Sequence, residues 1–227
     1  MSATTPNLRD LHGLPVDGGS VAPGRLVRSA APAEGDAAPP GLDWPPVSVI
    51  DLRSPTEREP RHPLAGHATI HHLPLLGALR PGAARADDLP GLYRHVVESA
   101  APMLVDVVRA IVSEDGPALV HCAAGKDRTG ISVALALRLV GAGRDDVVAD
   151  YLETAKHSRD IHARLAASAD HERRKDLPAS FFETDPVAVT TVLDVWDGHS
   201  GGVFGWFAAA GGEDADVERL HAHLTKS

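Results

Sequence analysis

A chain of 227 residues, 43% hydrophobic and 23% charged, has the size and balance of one globular domain spanning 1–227. Its formal charge of −9 excludes a general affinity for nucleic acid or anionic membrane, since both need a net basic surface. A single cysteine excludes an internal disulfide and fits a reducing compartment.

The N-terminus, MSATTPNLRD, lacks a basic segment followed by an apolar stretch. The apolar runs further on are broken by Asp106, Arg109 and Arg138, and fall short of the roughly 20 residues that span a bilayer. The expectation is a cytoplasmic protein, with non-classical export as the alternative, and without an integral membrane segment. Residues 30–46 are rich in Ala, Pro, Gly and Asp and read as an irregular connection. Val47 to Leu52 is a short, β-branched run that predicts a buried strand ending at Asp51, and Ala68 to Leu73 predicts a weaker one. Gly, Ala, Pro, Arg and Asp then dominate from Leu76 to Pro90, which reads as poorly packed. Helical spacing follows from Leu92 to Val112, divided at Pro102, which lacks the amide hydrogen an interior turn needs. Ala118 to His121 predicts a second buried strand, and Ile131 to Val140 an apolar helix stopped by Gly141 and Gly143. Asp145 or Asp146 is the expected cap of the next helix. Residues 158–180 are polar and helix-prone, and from Pro186 onward apolar helical segments flank a loop at Gly198–Gly205. Alternating strands and helices predict an α/β domain.

The chemistry is concentrated in HCAAGKDRTG, His121 to Gly130. Placed between a buried strand and a helix, with Gly125 in the turn, the segment directs successive amides toward one point, and the helix adds its positive end. Ala123, Ala124, Gly125, Lys126, Thr129 and Gly130 are the expected phosphate cradle. Arg128 can grip two phosphate oxygens through its planar fork. Cys122, at the strand end, faces the same point, where the amides and cations favour its thiolate, positioned for in-line attack. Thr129 is expected to hydrogen-bond that sulfur. The alternative, Cys122 as a small buried hydrophobe, is disfavoured by this surrounding.

Five residues separate Cys122 from Arg128, and with His121 before and Thr129-Gly130 after, the segment resembles the loop of the protein tyrosine phosphatase superfamily. Asn7 to Leu11, Arg25 to Ala30, Asp51 to Ser54 with Glu57, and Asp150 to Leu152 followed by the Trp196–Trp206 region extend the resemblance to bacterial atypical tyrosine and dual-specificity phosphatases with a Gly-Lys-Asp-Arg-Thr loop. That family's opening motif has Gly-Gly where His12-Gly13 stands. The resemblance implies a tyrosine-phosphatase-like fold, a mostly parallel sheet flanked by helices, with residues 76–112 as a possible helical lid or ordinary core packing. It implies hydrolysis of phosphotyrosine in proteins, with dual-specificity or phosphoinositide activity, through a cysteinyl-phosphate and without cofactor or metal.

A general acid is also needed. No Trp-Pro-Asp tripeptide exists, and Trp44-Pro45-Pro46 lacks the acid. The resemblance points to Asp127, whose alternative role is to orient Arg128 or cap the helix; Asp51, at a strand end, is the second candidate. Arg53 is expected to pair with Glu57 or a loop carboxylate. Lys126 resembles the lysine that meets multiply phosphorylated head groups, or simply adds potential to the cradle. His62, His67, His71 and His72 read as surface or pocket-lining residues rather than metal ligands, having no Cys or carboxylate at ligand spacing. A silent phosphate-binding module is disfavoured because Cys122, Asp127 and Arg128 are all present, and a sulfurtransferase would give Asp127 and Arg128 no purpose.

Overall fold

The computed structural model describes residues 4–37, 40–75, 88–167 and 183–226. Its strands are β1 Arg9–Asp10, β2 Pro15–Val16, β3 Gly19–Ser20, β4 Leu26–Ser29, β5 Ser48–Asp51, β6 Thr69–His72 and β7 Ala118–His121. Its helices are α1 Leu89–Ser99, α2 Ala101–Ile111, α3 Asp127–Leu139, α4 Arg144–Glu153, α5 Ser158–Ala166, α6 Pro186–Asp197, α7 Gly202–Ala209 and α8 Asp214–Thr225. A five-stranded sheet runs in the order β1-β4-β7-β5-β6. β4, β7, β5 and β6 are parallel neighbours and only β1 runs against them, while β2 and β3 form a separate hairpin.

Alternation along the strands sets the two faces. Leu26, Ile50, Ala118 and Val120 join the larger core, with Tyr93, Leu104, Leu135, Val192 and Trp196 from the helices. Val27, Val49 and Leu119 join a smaller cluster with Leu8, closed by Leu42, Trp44, Leu64 and Ile70. Trp44 therefore packs under the sheet. The central strands are buried on both faces, which is why their sequences read as short apolar runs.

Several boundaries differ from the sequence reading. α1 and α2 do part beside Pro102, which sits in the first turn of α2, where a missing amide hydrogen costs little. Leu104, Val105, Val107, Val108 and Ile111 of α2 are buried in the main core, while residues 76–87 of the stretch considered as a lid lie outside the described residues. α3 begins at Asp127, four positions before Ile131, because its first turn is polar. Gly143, not Asp145 or Asp146, stands at the N-cap of α4; both aspartates fall in the first turn, where they complement the helix dipole. α7 starts at Gly202, so the loop expected at Gly198–Gly205 is half helix. Of the polar stretch 158–180, α5 takes 158–166, and 168–180 lie outside the described residues. No helix among the described residues is long and apolar enough to cross a membrane.

Candidate active site

Three parallel strands deliver the site from their C-terminal ends, the usual place for a ligand crevice in such sheets. Ser29 of β4 and Asp51 of β5 both pair with His121 of β7, and Cys122 follows directly. Leu52 N–H donates to the His121 carbonyl at 2.9 Å, so the strand after β5 stays beside the turn after β7.

The turn itself is tied down from behind. The Ala123 carbonyl accepts from Ala31 N–H at 3.2 Å, and the Ala124 carbonyl from Asn7 Nδ2 at 3.3 Å. The Gly125 carbonyl accepts from Asn7 Nδ2 at 2.9 Å and from Arg28 Nη2 at 2.7 Å. In a trans peptide the N–H points opposite to the C=O. With these carbonyls held on one side, the amides of residues 124–126 turn to the other, in line with the open first turn of α3. Such an array suits an anion. Gly125 adopts φ +66°, and a Cβ there would lie 2.2 Å from the Ser29 carbonyl oxygen, so only glycine fits.

Behind the turn stands a second tier. Asp150 of α4 accepts from Arg28 Nη1 and from Arg9 Nε, the latter at 2.9 Å, and Arg9 also donates to the side chain of Asn7. Arg28 is fully buried and Asp150 is 8% exposed. Asn7 sits in the left-handed region at φ +58°, which asparagine tolerates better than most residues. Burial would raise the Asp150 carboxyl, but the Arg28 and Arg9 charges keep it below its ordinary value.

Cys122 is 1% exposed, resting on the main core. Arg128 lies near enough for its guanidinium to feel the cysteine's charge. Arg128 Nη1 and Nη2 donate to the two Glu57 oxygens at 2.6 and 2.7 Å, and Nη1 also reaches the Leu52 carbonyl at 3.2 Å. Among the described residues that uses three of the five guanidinium hydrogens and leaves Nε–H and one Nη2–H, which share an edge and form a second fork. Burial would lower the Arg128 pKa, but the Glu57 bonds and the Cys122 and Glu57 charges outweigh it and hold it above normal. Glu57 ends a 3-10 turn, Pro55–Glu57, and its Oε2 also accepts from Ser54 N–H and Oγ at 2.9 and 2.8 Å. Burial pushes the Glu57 carboxyl up, but its Arg128 and Ser54 partners bring it down to about 2.

Of the two partners expected for Arg53, the loop carboxylate is the one it takes, in Glu59, and not the carboxylate of Glu57. Glu57 turns its carboxylate to Arg128 and gives Arg53 only its backbone carbonyl, at 3.4 Å. Arg53 instead binds both Asp51 oxygens, at 3.0 and 3.1 Å, and Glu59 at 3.1 Å. Burial would raise the Asp51 carboxyl, yet the His121 ring and the Arg53 guanidinium hold it at about 2.

Asp127 opens α3 and caps no amide; its Oδ1 accepts from Tyr93 Oη at 2.8 Å and lies 3.4 Å from Lys126 Nζ. Lys126 is 5% exposed and donates to the Glu183 carbonyl at 2.7 Å. Thr129 Oγ1 is buried without a hydrogen-bond partner among the described residues, so the expected bond to the Cys122 sulfur is not formed in this state. Gly130 lets α3 approach Tyr151, whose ring would stand 3.0 Å from a Cβ at that position.

Among the histidines, His67 and His72 are exposed, and His71 meets Ser113 at 3.0 Å. His62 and His72 line a cleft of about 320 Å³ with Asp51, Arg53 and Arg58. Sequence spacing did not show that Asp51 and His121 come within ligand distance of His62, all three buried. Leu64 N–H donates to His62 Nδ1 at 3.1 Å, so the His62 proton sits on Nε2. It is given to His121 Nε2 at 3.0 Å, and His121 Nδ1–H then faces the Cys122 carbonyl at 3.3 Å. A metal on His62 Nε2 would need the ring proton on Nδ1, against the Leu64 amide, and Arg53 already occupies Asp51. The cluster fits a hydrogen-bond relay to the turn, not a cation.

Asn7, Arg28 and Glu57 entered the sequence reading only through the resemblance and as a partner for Arg53, His62 only as a surface or pocket-lining residue, and Tyr93 not at all. The Ser54-x-x-Glu57 spacing was the one local signal, since it marks a capping box.

The family model described as "Tyrosine phosphatase family" matches residues 2–226. A protein from Cupriavidus necator, provisionally named a tyrosine-protein phosphatase, is 33% identical over 193 residues, covering 72% of this chain and 67% of its own. The triple specificity protein phosphatase of Mycobacterium tuberculosis is 46% identical over 59 residues, 26% of this chain and 21% of its own. A tyrosine-protein phosphatase from Nostoc commune is 26% identical over 147 residues, 61% of this chain and 49% of its own. The chain therefore spans between a fifth and two thirds of the length of these relatives.

Proposed function

The chain belongs to the tyrosine phosphatase family, an enzyme of the protein-tyrosine phosphatase class, and from that premise we propose that it hydrolyses phosphotyrosine through a cysteinyl-phosphate on Cys122. The observation that carries this reading is that Cys122 opens a turn whose carbonyls are bound by Ala31, Asn7 and Arg28, within electrostatic reach of an arginine whose Nε–Nη2 edge has no partner among the described residues. The dianion is received by the amides of residues 124–126, by the open first turn of α3 and by the Nε–Nη2 edge of Arg128; the Gly130 amide, expected in the cradle, is spent on the Lys126 carbonyl at 2.7 Å. The Cys122 thiolate attacks phosphorus in line while the P–O bond to tyrosine breaks. Asp127 gives its proton to the departing oxygen, and as carboxylate then takes one from the water that releases phosphate from sulfur.

Asp127 suits the acid better than Asp51. Both Asp51 oxygens are bound by Arg53 and the group stays ionised down to about 2, so it holds no proton to give near neutrality. Arg128 is oriented by Glu57, so Asp127 is not needed for that task. The reaction needs no metal, and a nucleophilic thiol needs reducing surroundings, so we place the enzyme in the cytoplasm.

Activity on phosphoserine, phosphothreonine or phosphoinositides is the broader part of the proposal, supported by the triple specificity named for the mycobacterial relative. A lipid head group would share the Lys126 ammonium with the Glu183 carbonyl, to which it already donates.

Hydrolysis of 4-nitrophenyl phosphate without added metal, abolished by Cys122→Ser with the fold intact, is the expected result. No turnover by the wild-type protein between pH 5 and 8 would favour a silent phosphate reader. Lys126→Ala compared on a phosphopeptide and a phosphoinositide tests the breadth, since equal losses on both remove the lipid part.

A further inference from the structure

We propose that Tyr93 is a positioning residue that aims Asp127 at the leaving group, and that Tyr151 braces Tyr93; this rests on Asp127 being the general acid. Tyr93 is fully buried on α1 and Tyr151 is 1% exposed on α4. Tyr93 Oη lies 2.8 Å from Asp127 Oδ1 and 2.9 Å from Tyr151 Oη, with the two rings crossing at 87°.

The directions of these bonds follow from proton counting. A carboxylate only accepts, so Tyr93 spends its one proton on Asp127, and Tyr151 must donate to the Tyr93 oxygen. Burial first, and then the Asp127 charge, raise both phenols above their ordinary range, so the chain stays protonated.

The pair fixes one end of the acid. Oδ1 faces Tyr93 and Lys126, whereas Oδ2 makes no hydrogen bond among the described residues. The Asp127 side chain is 29% exposed, enough to meet a substrate. A free aspartate in a first helical turn can swing to cap amides; one held by a buried phenol cannot. Tyr93 keeps its proton throughout. When Oδ2–H passes to the leaving oxygen, the Tyr93 bond stabilises the carboxylate left behind, and it holds the same carboxylate as water attacks phosphorus.

The test is leaving-group dependence. Phenyl phosphate needs a proton on departure, whereas 2,4-dinitrophenyl phosphate does not. For Tyr93→Phe, which keeps the ring in the core, kcat/KM should fall about tenfold more on phenyl phosphate than on the dinitrophenyl ester. Asp127→Asn should give the same split at about a hundredfold, and the double variant should match Asp127→Asn alone. Tyr151→Phe should give a smaller split of the same sign. Equal losses on both esters for Tyr93→Phe, or additivity in the double variant, would overturn the positioning role while leaving Asp127 as the acid. If Asp127→Asn itself shows no split, the acid assignment fails and the proposal with it.

Discussion

Glu57 shows how much a single side chain can decide. It occupies both terminal nitrogens of Arg128, is itself held by Ser54, and so leaves the guanidinium one defined edge for an anion. Glu57→Gln should lower kcat/KM at least about tenfold through loss of that aim, and cost about 1–3 kcal/mol in denaturant unfolding. A variant as active as wild type would show that Arg128 finds its orientation elsewhere. The spacing of Cys122 and Arg128 was legible because both lie in one ten-residue segment, but their partners were not. Glu57, Tyr93 and Asn7 reach the site from other elements, and the strand order that gathers them is written in no local pattern.

Among the elements, the turn between β7 and α3 is the most constrained. Gly125 at φ +66° presses against the Ser29 backbone, which cannot move aside like a flexible side chain. Gly125→Ala should destabilise by at least about 2 kcal/mol, read as a fall in Tm, and should abolish turnover because the amides would be displaced. The buried strands and α2 were readable because apolar periodicity reports burial directly. The start of α3 was not, since Asp127, Arg128 and Thr129 are polar for the sake of the site rather than the core. Glycines misled at Gly202–Gly205. A Cβ on Gly205 would stand 1.8 Å from the Ser200 carbonyl oxygen, so this glycine serves close packing inside a helix rather than a loop. The β2–β3 hairpin, two residues a strand, is too short for alternation to show.

For the whole molecule, the buried relay predicts sensitivity to acid. Burial lowers His62 to about 4 and His121 to about 3, below their ordinary 6.5. As pH falls through 6.5 the unfolded chain binds protons that the folded one refuses, at about 1.4 kcal/mol per pH unit for each proton. Asp51 and Glu57, held at about 2, add stability above their unfolded pKa that is lost as pH falls toward 2. Tm should therefore start to fall near pH 6.5, before ordinary carboxylates titrate, and His62→Gln should flatten the segment between pH 6.5 and 5. A wild-type Tm constant from pH 7 to 5 would contradict neutral, buried rings.

The braces behind the Gly125 turn join distant parts of the chain: Asn7 and Arg28 hold its carbonyl across 118 and 97 positions, and Asp150 meets Arg28 across 122. Closing such long loops costs entropy before any contact offsets it. A chain emerging from denaturant would thus regain its helical signal first, and its capacity to hold an anion only once the first thirty residues have docked.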